Sequence, residues 1–205
     1  MELHVPHGSI RSIKDFLMHL GIVTLGIVIA LGLGQLVEAY HRSRMAAETI
    51  AGFGREINFA AAQLTQVVDW MPEQRVEIET EIAKLSVPHA PGTPDEPIKY
   101  PMSTYQLIRS ASWHTAVATQ VLGSLPPDKV KGYEVAYAEL EIFVDQERTG
   151  LGYWHDLHGY GENAAALSAE ERRALIRELR RYETFTRFLE AMGNETLKTC
   201  ASALN

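Results

Sequence analysis

The chain contains one cysteine, Cys200, so no disulfide forms within it. That thiol lies in a small-residue C-terminal stretch with no histidine beside it, which argues against a nucleophilic role. Proline is absent from Glu38 to Met71. Aspartate, glutamate, lysine and arginine are absent from Phe16 to Val37. No segment alternates apolar and polar residues with the period of a strand. No phosphate-binding glycine loop, no GxSxG and no HExxH occurs. A basic surface is lacking too. The formal net charge is −7, and binding to nucleic acid phosphates needs a positive face. These absences leave a helical chain without a recognised catalytic signature, and nucleic acid is excluded as a partner.

What is present begins with FLMHLGIVTLGIVIALGLGQLV, residues 16–37. A helix of roughly 22 residues rises about 33 Å, enough to cross the hydrocarbon core of a bilayer. Only helices and closed barrels satisfy their backbone in lipid. The stretch therefore reads as one transmembrane helix following a tail over residues 1–15, and residues 38–205 as the domain it anchors. A buried core helix is usually shorter and carries a charge within such a span. A cleaved signal peptide has a shorter apolar region, although Val37-Glu38-Ala39 loosely fits a cleavage site. The retained anchor is the better reading.

Arg11 and Lys14 precede the span, while Arg42, Arg44 and Arg55 follow it. The positive-inside rule nearly balances here. A short basic tail before a first apolar segment favours the N-terminus in the cytoplasm. That places the domain on the side of the membrane away from the cytoplasm.

Beyond Val37, apolar or small residues recur at Ala46, Ile50, Phe53, Ile57, Ala60, Leu64, Val67 and Met71. This alternation of three and four is a heptad seam, so the helix is expected to run on as a stalk to about Trp70. Pro72 is expected to start a new turn, followed by a shorter helix on Val76, Ile78, Ile82 and Leu85. Pro88, Pro91, Pro94 and Pro97 recur every third residue within a proline-rich strap, 87–101. That is polyproline II spacing, and it suits either an extended crossover or a docking segment for a proline-reading module. Ser103 with Gln106 fits a capping box for a helix whose inner face is Leu107, Ala111, Thr115, Ala118 and Leu122. A further helix opens at Pro127 and carries Val130, Tyr133, Tyr137, Leu140 and Val144. It either continues or breaks near Gly150 and Gly152, and Gly159 with Gly161 ends it. Ser168 with Glu171 is a second capping box, opening a last helix through Leu175, Leu179, Tyr182, Leu189 and Met192. The expected fold is all-α, a bundle of about four to five helices.

Candidate chemistry is sparse. His155 and His158 are three residues apart, on one helical face, and His114 offers a third ligand from another helix. These are weak metal candidates. Histidines at the water edge of an amphipathic helix explain them better, so no metal or cofactor is expected. Trp113, Tyr137 and Trp154 are the residues that would line a cavity if the domain were a sensor. In the apolar span, His19, Val23, Gly26, Ala30, Gly34 and Val37 share one side at about 100° per residue. Gly26, Ala30 and Gly34 are spaced by four, an arrangement that lets helices approach closely in lipid. The partners expected are therefore the bilayer and another transmembrane helix, from a second copy or a different subunit.

Lys14-Asp15-Phe16, His19, Gly26-Ile27-Val28-Ile29-Ala30-Leu31-Gly32 and Gln35-Leu36-Val37-Glu38 together resemble a group of uncharacterised bacterial single-pass membrane proteins. Their helix has the form DFxxHxxxxxxGxxIAxGxxQxxE, and the resemblance covers roughly residues 14–60. Such sequences often carry Glu before the Gln and a histidine pair after it, where this chain has Gly34 and His41-Arg42. The resemblance implies a membrane anchor with a helical domain and supplies no activity. The function expected is a non-enzymatic scaffold or accessory subunit of a membrane complex. A sensory domain and a metal enzyme built on His155 and His158 are the alternatives.

Overall fold

An alternation of three and four along a helix commits one stripe to burial, and three such stripes make a bundle. A computed structural model describes residues 13–87, 97–101 and 110–205. The elements are α1 (Ile13–Ser86), α2 (Ala111–Ala118), α3 (Pro127–His158) and α4 (Ala169–Leu204). A 3₁₀ turn at Val121–Ser124 lies between α2 and α3, and another at Ala164–Ala166 precedes α4. Among the described residues there is no strand, only an isolated bridge between Pro97 and Asn163. The chain divides into two units, Met1–Ala47 and Glu48–Asn205, and α1 contributes to both.

In the first unit every described side chain but one is exposed; the exception, Ala46, is partly covered. The His4 and His7 tail lies outside the described residues.

In the second unit the seam of α1 is buried at Phe53, Ile57, Ala60, Leu64, Val67 and Met71 and continues through Gln74, Ile78, Glu81 and Leu85. The helix does not restart at Pro72. Proline removes one backbone hydrogen bond and costs about 3 kcal/mol inside a helix. Pro72 itself faces solvent, while the residues on either side keep the stripe in the core. Burial of that stripe offsets the missing bond.

α4 follows the same rule without a break, burying Leu175, Leu179, Tyr182, Thr186, Leu189, Gly193, Thr196, Cys200 and Ala203. Met192 is only partly covered, because the tighter Gly193 takes the inward position. The Ser168–Glu171 capping box opens this helix: Glu171 N–H donates to Ser168 Oγ at 3.2 Å, and Ser168 N–H donates to Glu171 Oε2 at 2.8 Å. α3 passes both Gly150 and Gly152 and buries Tyr133, Ala136, Tyr137, Leu140, Phe143, Glu147, Gly150 and Leu157. It closes before Gly161, whose φ of +74° suits glycine.

Packing fixes the directions. Phe53 meets Tyr133 at one end, with ring centroids 4.9 Å apart. At the other end Ile78 and Leu85 share a core cluster with Leu157, Leu175 and Leu179. Thus α3 runs parallel to α1 and α4 runs back against them. A parallel pair needs a long return connection, and the proline-rich strap lies within it. Its described part docks on the turn after α3: Ile98 is buried and its N–H donates to Glu162 O at 2.8 Å. Pro88, Pro91 and Pro94 lie outside the described residues.

The bundle therefore has three long helices and one short one among the described residues, within the four to five expected, and α1 absorbs the segment after Pro72. The Ser103–Gln106 capping box and Leu107 lie outside the described residues. On α2 the expected inner face is wrong. Ala111, Thr115 and Ala118 are exposed, while Trp113 and Ala116 turn inward. Long-range partners on α1 and α3 set that rotation.

Candidate functional site

Three places bring chemistry-bearing side chains together in the second unit. The first is where α2 lies on α1 and α3. Phe53 contacts Trp113 at 5.6 Å and Tyr137 at 5.8 Å, and Trp113 stacks on Tyr137 at 5.4 Å. Beneath the rings, the Glu56 carboxylate accepts from the Ser112 N–H at 3.0 and 3.1 Å and from the Tyr137 hydroxyl at 2.9 Å. Glu56 thus caps a helix that begins 55 residues later, satisfying an N–H that the first turn of α2 leaves open. Burial, followed by the hydrogen bond and charge of Glu56, pushes the Tyr137 pKa far above its ordinary range. The hydroxyl stays protonated and acts as a fixed strut. Beside it runs an open groove of about 320 Å³, where Arg148 pairs with Asp145 at 2.7 Å.

The second place is a polar layer in mid-bundle. Gln74 of α1, Glu147 of α3 and Thr186 of α4 are all buried, and Tyr182 adjoins them. Gln74 hydrogen-bonds the Tyr182 hydroxyl, and burial raises the Tyr182 pKa. A cavity of about 10 Å³ separates these groups, at the lower limit for a single water. Within this layer Thr186 Oγ1 donates to Glu183 O of its own helix at 2.7 Å, while the Gln74–Tyr182 bond joins α1 to α4. Nearby, Arg75 and Glu190 form an ion pair linking α1 to α4.

The third place is the end of α3. His158 Nδ1 donates to Trp154 O at 2.9 Å, its ring lies 3.8 Å from the Trp154 ring, and Tyr100 of the strap covers it at 4.5 Å. Burial and the nearby carboxylates of Glu81 and Glu162 push the Tyr100 pKa up to about 12. His155 is exposed.

The structure separates residues that the sequence suggested grouping. His114 lies 3.6 Å from Glu141, on the outer surface beside α2. His155 and His158 stand at the far end of α3 from the α2 cluster; the rise from Tyr137 to Trp154 is about 25 Å, too far for one metal shell.

 The two ends of α3 therefore carry separate clusters. For the same reason Trp113, Tyr137 and Trp154 line no common cavity: the first two stack on each other, and Trp154 packs on His158. Among the described residues, no group of three or more His, Cys, Asp and Glu side chains is placed to hold a metal ion.

Glu147, Gln74 and Thr186 were detectable as polar residues lying in phase with apolar stripes. Glu56 left no such signal, since its partners are distant in sequence. In the first unit, His19, Val23, Gly26, Ala30, Gly34 and Val37 are all exposed, and a Cβ added at Gly26 or Gly34 would meet nothing within 4 Å.

No protein-family model, curated protein or solved structure matches the chain.

Proposed function

We propose that the chain is a single-pass protein of a bacterial inner membrane, anchored through Phe16–Val37, whose helical domain is a non-enzymatic scaffold or accessory subunit of a membrane complex. One observation carries the reading. α1 is long and apolar enough to cross a membrane, and none of the most apolar window is buried within the chain. Leu25, Ile27, Val28 and Leu31 are each more than half exposed. An apolar surface of that extent needs lipid or a partner to cover it.

The face bearing His19, Gly26, Ala30 and Gly34 is the one proposed to meet another transmembrane helix. Small residues at intervals of four let backbones approach in lipid, and an ionisable side chain there favours a protein neighbour. The domain is proposed to lie on the periplasmic side.

Alkaline carbonate extraction tests the anchor: the full chain is expected to stay with the membrane pellet, and release into the supernatant overturns the reading. Cross-linking in membranes tests the face. Gly26→Ile and Ala30→Ile are expected to weaken association relative to Leu31→Ile. Equal association in all three removes the proposed partner face.

A further inference from the structure

The chain carries 26 acidic residues against 19 lysines and arginines, so a surface arginine has acids at hand. Most arginines of the second unit use them. Arg75 pairs with Glu190, Arg148 with Asp145, Arg181 with Glu178 and Arg187 with Glu183. Arg172 donates to the carbonyls of Val87 and Ala164. Arg173, Arg177 and Arg180 of α4 differ. All three are exposed, and among the described residues none of their side chains makes a hydrogen bond or an ion pair. At about 100° per residue they point the same way, and Phe188 falls within the same quarter-turn of the helix. Phe188 is 52% exposed, whereas Leu175, Leu179 and Leu189 of the same helix are buried. Arg173 to Phe188 spans about 22 Å of helix. The acids of α4 do little to offset this strip. Glu171 is held in the capping box, and Glu178 and Glu183 hold Arg181 and Arg187. Glu170 borders the strip and is exposed.

We propose that Arg173, Arg177, Arg180 and Phe188 form a docking strip for an acidic amphipathic helix of another protein. The inference rests on the accessory-subunit reading proposed above and names a surface through which that subunit meets a partner. Charge complementarity defines the occupant. Guanidinium groups one turn apart match carboxylates spaced by four and three residues, and each can hold a carboxylate with two parallel hydrogen bonds. Arginine and aromatic side chains are enriched at protein interfaces, while lysine is depleted. Lipid fits less well. A helix lying in the headgroup layer keeps its basic and apolar residues on opposite faces, and here they share one.

The test uses the full chain in phosphatidylcholine nanodiscs and a fluorescent, alanine-rich helical peptide. The peptide bears glutamates spaced by four and three residues and a leucine two turns further on; a control peptide has glutamine for each glutamate. Fluorescence anisotropy is expected to show the glutamate peptide bound about tenfold or more tightly than the control, with affinity falling as salt rises. Arg173→Glu/Arg177→Glu/Arg180→Glu is expected to abolish that preference, and Phe188→Ala to weaken binding about fivefold or more. Arg55→Glu/Lys131→Glu/Lys198→Glu reverses as much charge at other exposed positions and is expected to keep the preference. Equal binding of the two peptides, or unchanged binding in Phe188→Ala, overturns the strip and leaves the membrane anchor standing, which carbonate extraction tests by itself. Equal losses in the two triple variants mean that net charge alone acts, and this overturns the strip as well. Vesicles of phosphatidylglycerol captured through the three arginines, without preference for the glutamate peptide, would make lipid the occupant. A dimer of the chain lost in the arginine variant would make it a second copy. Either result overturns the proposal.

Discussion

Gly193 of α4 passes so close to Val68 of α1 that a Cβ at position 193 would stand 2.6 Å from Val68 Cγ2. Phe143 Cε2 at 3.1 Å and Leu64 Cδ1 at 3.3 Å close the other sides. Valine is stiff at χ1, so it cannot swing away cheaply. Gly193→Ala is therefore expected to destabilise the fold by about 1–3 kcal/mol through overpacking, despite the better helix propensity of alanine. Gly152 supplies the contrast, since an added Cβ there meets nothing within 4 Å. Gly152→Ala is expected to stabilise by up to about 1 kcal/mol. Denaturation midpoints of the two variants in detergent, moving in opposite directions, check this packing.

Removing the Glu56 carboxylate leaves the Ser112 N–H and the Tyr137 hydroxyl without their acceptor. Glu56→Ala is expected to cost about 1–3 kcal/mol. Glu56→Gln keeps one acceptor oxygen and is expected to cost less. Amide hydrogen exchange within α2 should speed up in Glu56→Ala, well before the exchange of α4 changes. Unaltered protection in α2 would mean that the aromatic contacts alone hold it.

Cys200 gives the fold an alkaline limit. Burial, and then the charge of Glu139, push its thiol from an ordinary 9.0 to about 11. A pKa raised by folding gives stability that is complete below the unfolded value and lost as pH climbs through the folded one. The melting midpoint is expected to lose this contribution between about pH 9 and pH 11, and Cys200→Ala to remove that part of the pH dependence. Tyr100, pushed up to about 12, acts in the same direction at higher pH. At pH 8 the folded chain is expected to resist alkylation by iodoacetamide, and rapid labelling would contradict the burial of this thiol.

Folding is expected to need no metal. The histidine rings near Trp154 are engaged in stacking and in a hydrogen bond to a backbone carbonyl. Dialysis against a chelator should leave the melting curve unchanged. Stoichiometric zinc or iron in purified protein, lost in the His155→Ala/His158→Ala double variant, would reverse this expectation.

The sequence by itself determined whatever depends on residues one or two turns apart. The run Phe16–Val37 makes an apolar helix, the three-and-four spacing from Phe53 to Met71 buries that face of α1, and Ser168 with Glu171 starts α4. Each needs only local geometry and the cost of exposing apolar surface. Tertiary structure decided the rest. Whether α1 ends at Pro72 depends on the core that Gln74, Ile78 and Leu85 find beyond it. Which face of α2 turns inward depends on Glu56, Phe53 and Tyr137, and which aromatics meet depends on the parallel course of α3. The stripes of three helices also fix whether Gln74, Glu147 and Thr186 share a layer. A helix forms from its own neighbours, but its rotation and its level against another helix are set by contacts between residues far apart in the chain, whose pairing no local pattern records.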